Sequence, residues 1–194
     1  MTVLLTQNYF DALEYASQAH AGTFRKDTKI PYICHPIAVS AYVLEAGGDE
    51  DQAIGALLHD VAEDCGGEPR IHDIELKFNE RIAAIVRGCS DSLEVNPTKK
   101  IDWRIRKEQH LAKLVDASDD ILIVTAADKL HNARAIATDF QNIGAKIWNR
   151  FNAKEAEVHW YYEEVFKILE KRKVSDQLLR PLEVAIRIMR GNSK

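Results

Sequence analysis

Apolar side chains recur three and four positions apart along nearly the whole chain, the spacing that gathers them on one face of an α-helix. No run alternates apolar and polar residues in the manner of a strand. Phe10, Leu13 and Ala16 predict a first helix, capped by Thr6 and ending near Ala21-Gly22. Pro36 suits the first position of a second, which runs through Val39, Tyr42, Val43 and Leu44 to a stop at Gly47-Gly48. Asp49, Glu50 and Asp51 favour the start of a third through its dipole, and the pattern carries that helix to Gly66-Gly67. Two more fill residues 69–90, one placing Ile71, Ile74 and Phe78 on a face, the other Ile82, Ile85 and Val86. Leu111, Leu114 and Val115 mark an amphipathic helix, and Asp119 or Asp120 caps the next, which opens on the apolar run Ile121 to Ala127. Ile147, Trp148 and Phe151 start another segment, and Val158, Tyr161, Tyr162, Val165, Phe166 and Leu169 a long helix whose aromatics belong to the core. Leu178, Leu182, Ile186 and Met189 form the last, kinked or restarted at Pro181. The expectation is an all-α, single-domain bundle of about ten helices.

Charge interrupts this pattern at two informative places. In Ala56-Leu57-Leu58-His59-Asp60-Val61-Ala62-Glu63-Asp64 four ionisable groups stand in an apolar helix. At about 100° per residue they share one face, His59 at zero and Asp64 near 140°. Ile54, Leu57, Leu58, Val61 and Ala62 occupy the opposite, buried arc, while Ala53 and Ala56 share the polar one and leave it room. A neutral imidazole and a carboxylate are ordinary ligands for a divalent transition metal, and further acids beside such an ion can move the protons of water. The second place is Asp128, which ends a run apolar on all sides and therefore buried; a buried carboxylate is costly unless it is paired or coordinates a metal. Asn132 follows one turn later on the same face.

Two polar stretches add cations. Thr23 to Tyr32 mixes Arg25, Lys26 and Lys29 with Phe24 and Tyr32, and residues 92–107 hold Pro97, Lys99, Lys100, Trp103, Arg104, Arg106 and Lys107. Either suits a phosphate or a solvated loop. A net charge of −4 over 194 residues argues against a nucleic-acid binder but leaves a small anionic substrate open, since that needs only a local basic patch. There is no basic-then-apolar start and no apolar run of membrane-spanning length, so a cytoplasmic protein without a membrane partner is expected. Cys34, Cys65 and Cys89, odd in number and without a CxxC pair, read as reduced thiols. His20, His72, His110, His131 and His159 have no partner pattern and are expected to be structural or exposed.

Cys34-His35-Pro36, Leu58-His59-Asp60-Val61-Ala62-Glu63-Asp64 and Ala127-Asp128-Lys129-Leu130-His131-Asn132, taken in order, resemble the HD-domain metal phosphohydrolases. With Phe24-Arg25-Lys26 and Pro31-Tyr32 added, the chain is similar to the hydrolase domain of the RelA/SpoT family and its small stand-alone relatives, metazoan ones included. The likeness runs from about residue 10 to 170, with 171–194 as a helical extension of the same domain. It implies a free-standing hydrolase without a synthetase half. It also implies a metal tetrad of His35, His59, Asp60 and Asp128 around one divalent ion, typically manganese, with Glu63 and Asp64 acting on water. The implied substrate is a guanosine nucleotide bearing a 3′-diphosphate, cut to GDP or GTP and pyrophosphate. By the same resemblance Arg25 stacks on the base, and Lys26, Lys129 and Asn132 hold phosphate, ribose or the geometry of the site. Arg134, about 120° from Asp128 on its helix, is left out of the ligand shell. Cys65 stands where the family usually has Thr. Two other readings stay open: another HD-type hydrolase, such as a nucleotidase or one acting on a 3′-pyrophosphorylated adenine nucleotide, and a catalytically silent nucleotide sensor. The sensor should have lost ligands or acids, and all six are present. The oligomeric state is open.

Overall fold

The computed structural model describes residues 3–94 and 102–191. Ten α-helices lie among them: α1 Gln7–Ala19, α2 Cys34–Glu45, α3 Glu50–Leu58, α4 Val61–Cys65, α5 Glu68–Lys77, α6 Glu80–Cys89, α7 Trp103–Val115, α8 Asp119–Ile143, α9 Glu155–Lys171 and α10 Asp176–Met189. A 3₁₀ segment, Gly144–Arg150, joins α8 to α9. The described residues form no strand, only a single antiparallel bridge between Phe24 and Pro31. The all-α expectation holds.

Local chemistry sets most boundaries. The Thr6 hydroxyl accepts the Asn8 N–H as expected, and Asp49 and Gln52 cap each other's backbone at the start of α3. At α8 the cap is Ser118, whose hydroxyl accepts from Ile121, rather than Asp119 or Asp120; both acids fall in the first turn, where they still complement the dipole. Ile147 and Trp148 do not open an α-helix. Gly144, at φ 61°, ends α8 in a left-handed conformation, and the chain turns tightly through the 3₁₀ segment instead. Pro181 neither kinks α10 into two elements nor restarts it. Only one helical hydrogen bond is lost there, and the burial of Leu178, Leu182, Ala185, Ile186 and Met189 against α8 and α9 outweighs it.

Two apolar clusters make the core. The first joins α1, α3, α4, α5 and α6 through Ala12, Ile54, Leu57, Val61, Ile71 and Ile82; the second surrounds α8 with Val39, Leu122, Leu130, Trp148, Leu169 and Leu182. Their seam follows α3 and α6, where Ala56 and Ile85 face the second cluster while Leu57 and Val86 face the first. The close approach at this seam needs Gly55: a Cβ there would sit 2.6 Å from Ile85 Cγ2. Two periodic positions miss the core. Phe10 is 53% exposed, because α1 turns Ala12, Tyr15 and Ala16 inward, and Val115 is 47% exposed at the end of α7.

Candidate active site

The four expected ligands are brought from three places in the chain. His35 stands in the first turn of α2, Asp128 in α8, and His59 and Asp60 in the turn between α3 and α4. This turn corrects the single helix expected over residues 49–66, and with it the placing of four ionisable groups on one helical face. The His59 ring takes the Ala56 carbonyl at 2.7 Å, a local bond that competes with the helical ladder, and Asp60 relaxes to φ −94°, ψ −10°. Ala53 and Ala56 are fully buried and leave no open arc.

One nitrogen or oxygen from each of His35, His59 and Asp128 lies within 4.8 Å of the others. His35 Nε2 is 3.2 Å from Asp128 Oδ1, and His59 Nε2 is 3.8 Å from the same atom. Asp60 stands outside this trio yet touches it, with Oδ2 at 3.4 Å from His35 Nε2 and 3.1 Å from His59 Nε2, and it accepts the Tyr32 hydroxyl at 2.7 Å. Burial lowers the pKa of His59, but the Asp60 and Asp128 carboxylates outweigh it and hold the ring up at about 9. Despite burial also acting on them, both carboxylates are held below their ordinary range, Asp60 by His59 above all and Asp128 by Lys129. His59 Nε2 is buried, with the Asp60 carboxylate close by but not aligned for a hydrogen bond, while Nδ1 is committed to the backbone. Two imidazoles and two carboxylates around such an atom fit a divalent transition metal, which would take the place of the imidazole proton.

The acids stand beside this trio. Glu63 accepts the Asp91 N–H at 2.8 Å; its side chain reaches the surface, yet desolvation by the atoms crowded around the carboxyl, followed by the Asp91 carboxylate, raises its pKa to about 7. Asp64, also exposed on one side, is raised to about 6, by partial desolvation and then by Asp60. Asp91 in turn binds Lys107 Nζ and lies 3.2 Å from His110 Nδ1, while Lys107 and Lys129 stand 4.7 and 5.6 Å from the centre of the Tyr161 ring.

Of the expected substrate residues, three are tied to Asp128. Lys129 Nζ donates to its Oδ2 at 2.6 Å, Asn132 Nδ2 donates to its Oδ1 at 2.5 Å, and Arg25 donates to Asn132 Oδ1 at 2.6 Å. Lys26 is exposed on the lip of a cleft of about 750 Å³ that runs outward from His35. The lining of the cleft includes Tyr32 and Arg25, Trp103, Lys107 and Tyr161, and Tyr42, Arg134 and Arg150. From the basic segment, Trp103 and Lys107 reach the cleft; Arg104 turns away onto Trp160 and Glu108, and Pro97, Lys99 and Lys100 lie outside the described residues. Tyr161 and Tyr162 are buried, as expected of core aromatics, yet also line the cleft.

Sequence reasoning missed Asp91, His110 and His131. His131 Nδ1 lies 2.8 Å from His35 Nδ1, and its place three residues after Asp128 on one helix was the available signal. His110 is buried against Asp91, whose partners come from positions far away in sequence.

Residues 12–157 match the HD domain family. A probable guanosine-3′,5′-bis(diphosphate) 3′-pyrophosphohydrolase of Synechocystis is 30% identical over 168 residues, 80% of this chain and 21% of that protein. The guanosine-3′,5′-bis(diphosphate) 3′-pyrophosphohydrolase MESH1 of Xenopus tropicalis is 28% identical and matched over 87% of both chains. The chain spans about a fifth of the length of the first curated relatives it matches. Among solved structures, a metazoan orthologue of SpoT that hydrolyses ppGpp superposes with a TM-score of 0.78 at 26% identity, covering 98% of this chain and 99% of the other.

Proposed function

The chain belongs to the HD domain family, and we propose that it removes the 3′-diphosphate of guanosine 3′,5′-bis(diphosphate), or of its 5′-triphosphate counterpart, as pyrophosphate. One ion, manganese, is held in this reading by His35, His59, Asp60 and Asp128. The observation that carries the proposal is the buried His59 Nε2, 3.1 and 3.8 Å from the Asp60 and Asp128 carboxylates and packed beside His35, which opens onto a cleft of nucleotide size. The 28% identity to MESH1 along nearly its whole length, with the metazoan SpoT orthologue's matching fold, supports the choice of substrate.

An ion in this place supplies a Lewis acid that polarises phosphoryl oxygens and makes water more acidic. The chain does the rest. Glu63, its pKa near 7, is matched to accepting a proton from water at neutral pH, and the Asp91 N–H fixes the carboxylate that takes it. The water oxygen bonds to the 3′-linked phosphorus, the bond from that phosphorus to the ribose 3′-oxygen breaks, and the 3′-oxygen takes up the proton that Glu63 received from the water as pyrophosphate leaves. Asp64 assists at the same water. Lys129 and Lys107 face the negative charge of the phosphates, Arg25 covers the base or forks onto phosphate, and Lys26 meets the substrate at the mouth. The free thiols of Cys34, Cys65 and Cys89 favour a cytoplasmic setting.

Purified protein supplied with manganese and the guanosine substrate should release pyrophosphate and GDP. Orthophosphate from simple monophosphates would make it a nucleotidase. Faster cleavage of the adenine analogue would move the base preference, and tight binding without turnover would make it a sensor.

A further inference from the structure

His35 is 1% exposed, so neither of its ring nitrogens has water as an alternative partner. Nε2 faces Asp60 and Asp128, and Nδ1 faces His131 Nδ1 at 2.8 Å. Two imidazole nitrogens at that distance form a hydrogen bond only if one carries the proton and the other a lone pair. We infer that His131 is a positioning residue, which accepts the Nδ1 proton of His35 and so turns the Nε2 lone pair of His35 toward the metal. His131 then keeps its own proton on Nε2, on the side of the cleft it lines. One turn of α8 thus does two tasks, delivering Asp128 to the ion and, three residues on, His131 to the back of His35. His59 gets the same service from the Ala56 carbonyl, a main-chain acceptor that no side-chain substitution removes. The two imidazoles are therefore fixed by different means, and the His35 anchor alone is open to mutation. Partners of this kind fix the tautomer and raise the basicity of a ligating histidine, and their loss typically costs 10- to 100-fold in metal affinity.

The inference rests on His35 being a metal ligand, and the experiment separates the two claims. Manganese affinity of the metal-free protein is measured by competition with a chelator for wild type, His131→Phe, His131→Asn and His35→Ala, with thermal melting to verify folding. Phenylalanine leaves the His35 N–H buried without an acceptor and should weaken binding roughly 10- to 100-fold. Asparagine, whose carbonyl can stand near the lost Nδ1, should recover part of that loss. If His35→Ala loses the metal while His131→Phe binds as wild type does, the positioning role is wrong and the ligand reading survives. If His35→Ala binds as wild type does, both are wrong. Should the phenylalanine variant fail to fold, nitrogen-15 spectra of wild-type protein loaded with zinc decide the matter. The inference expects the proton on Nδ1 of His35 and on Nε2 of His131; a proton on Nδ1 of His131 overturns it.

Discussion

At the inner end of the site, which meets the cleft through His35, the residues His35, His59 and Asp128 are 1, 3 and 8% exposed, whereas Phe24 and Ile30, on the loop at the mouth, are 55 and 51% exposed. The inner groups are held several times over: Asp128 alone meets both imidazoles, Lys129 and Asn132. The loop is held mostly by bonds within itself, the Phe24–Pro31 bridge, the backbone bonds between Arg25 and Ile30 and between Tyr32 and Thr23 and those of Thr28, and is tied to the rest of the site through Arg25 to Asn132 and Tyr32 to Asp60. A site that stabilises charge must be in place before the substrate arrives, since reorganising dipoles during the reaction costs the rate. In the proposed reaction the mouth has the opposite duty, because a nucleotide would have to enter and two products leave. Substitutions at the inner end should therefore act on metal and turnover, and those at the mouth on apparent affinity.

Asp128→Ala should have the largest effect. It removes a proposed ligand and also leaves the largely enclosed Lys129 ammonium without its carboxylate, a break that costs up to about 3 to 5 kcal/mol. Bound manganese, measured by elemental analysis, and pyrophosphate release should vanish together, and the melting temperature should fall. Unchanged metal content would take Asp128 out of the ligand set. His35→Ala should likewise lose metal and activity.

Glu63→Gln comes next and divides the inner end into ligands and acids. Shape is kept and charge is lost, so metal and substrate should still bind while turnover drops roughly 10²- to 10⁴-fold. If Asp64→Asn is added and the double variant is little worse than the more damaging single one, the two acids act as a unit. Wild-type turnover in Glu63→Gln, or metal loss like that of His35→Ala, would erase the division.

What could be read from the sequence follows the same contrast. Leu57, Leu58, Val61 and Ala62 are fully buried as periodicity required, and polar residues stood out wherever the background was apolar, as at His59, Asp60 and Asp128. The break at His59-Asp60 was hidden, because a helical wheel carries no term for a ring that takes the carbonyl three residues back. Spacing could not show that Phe10 faces solvent, since it gives a face of a helix but not what covers it. The contact of His35 with His131, 96 residues apart, exists only once α2 and α8 are packed, and that of Glu63 with Asp91, 28 apart, only once α4 meets the end of α6.

At the mouth, Arg25→Lys should raise the apparent Michaelis constant and leave metal content alone. An ammonium cannot both reach Asn132 Oδ1 and present a flat face to a base, so the loss is that of one charged hydrogen bond and a stack, about 1.5 to 3 kcal/mol at most. Lys26→Ala, on an exposed side chain, should do less. A fall in bound manganese in either variant would join the mouth to the inner end and dissolve the contrast.

The smallest effect decides to which end Glu63 belongs. Its folded pKa is about 7 against an ordinary 4.5, so between those values the folded protein holds a proton that the unfolded chain has released. Stability then declines as pH rises through that window and is level on either side of it, because the slope follows the difference in bound protons. Glutamine binds no proton and removes this contribution. Denaturant midpoints of metal-free wild type and Glu63→Gln at pH 5 and pH 8 should show the variant gaining on wild type at the higher pH; Asp64, raised to about 6, leaves the same residual slope in both and cancels. The gain will be modest, since the Asp91 N–H already stabilises the carboxylate and solvent reaches the residue. Parallel pH curves would mean that Glu63 feels water as the loop residues do, and that the desolvated part of the site ends before the acid proposed to work beside it.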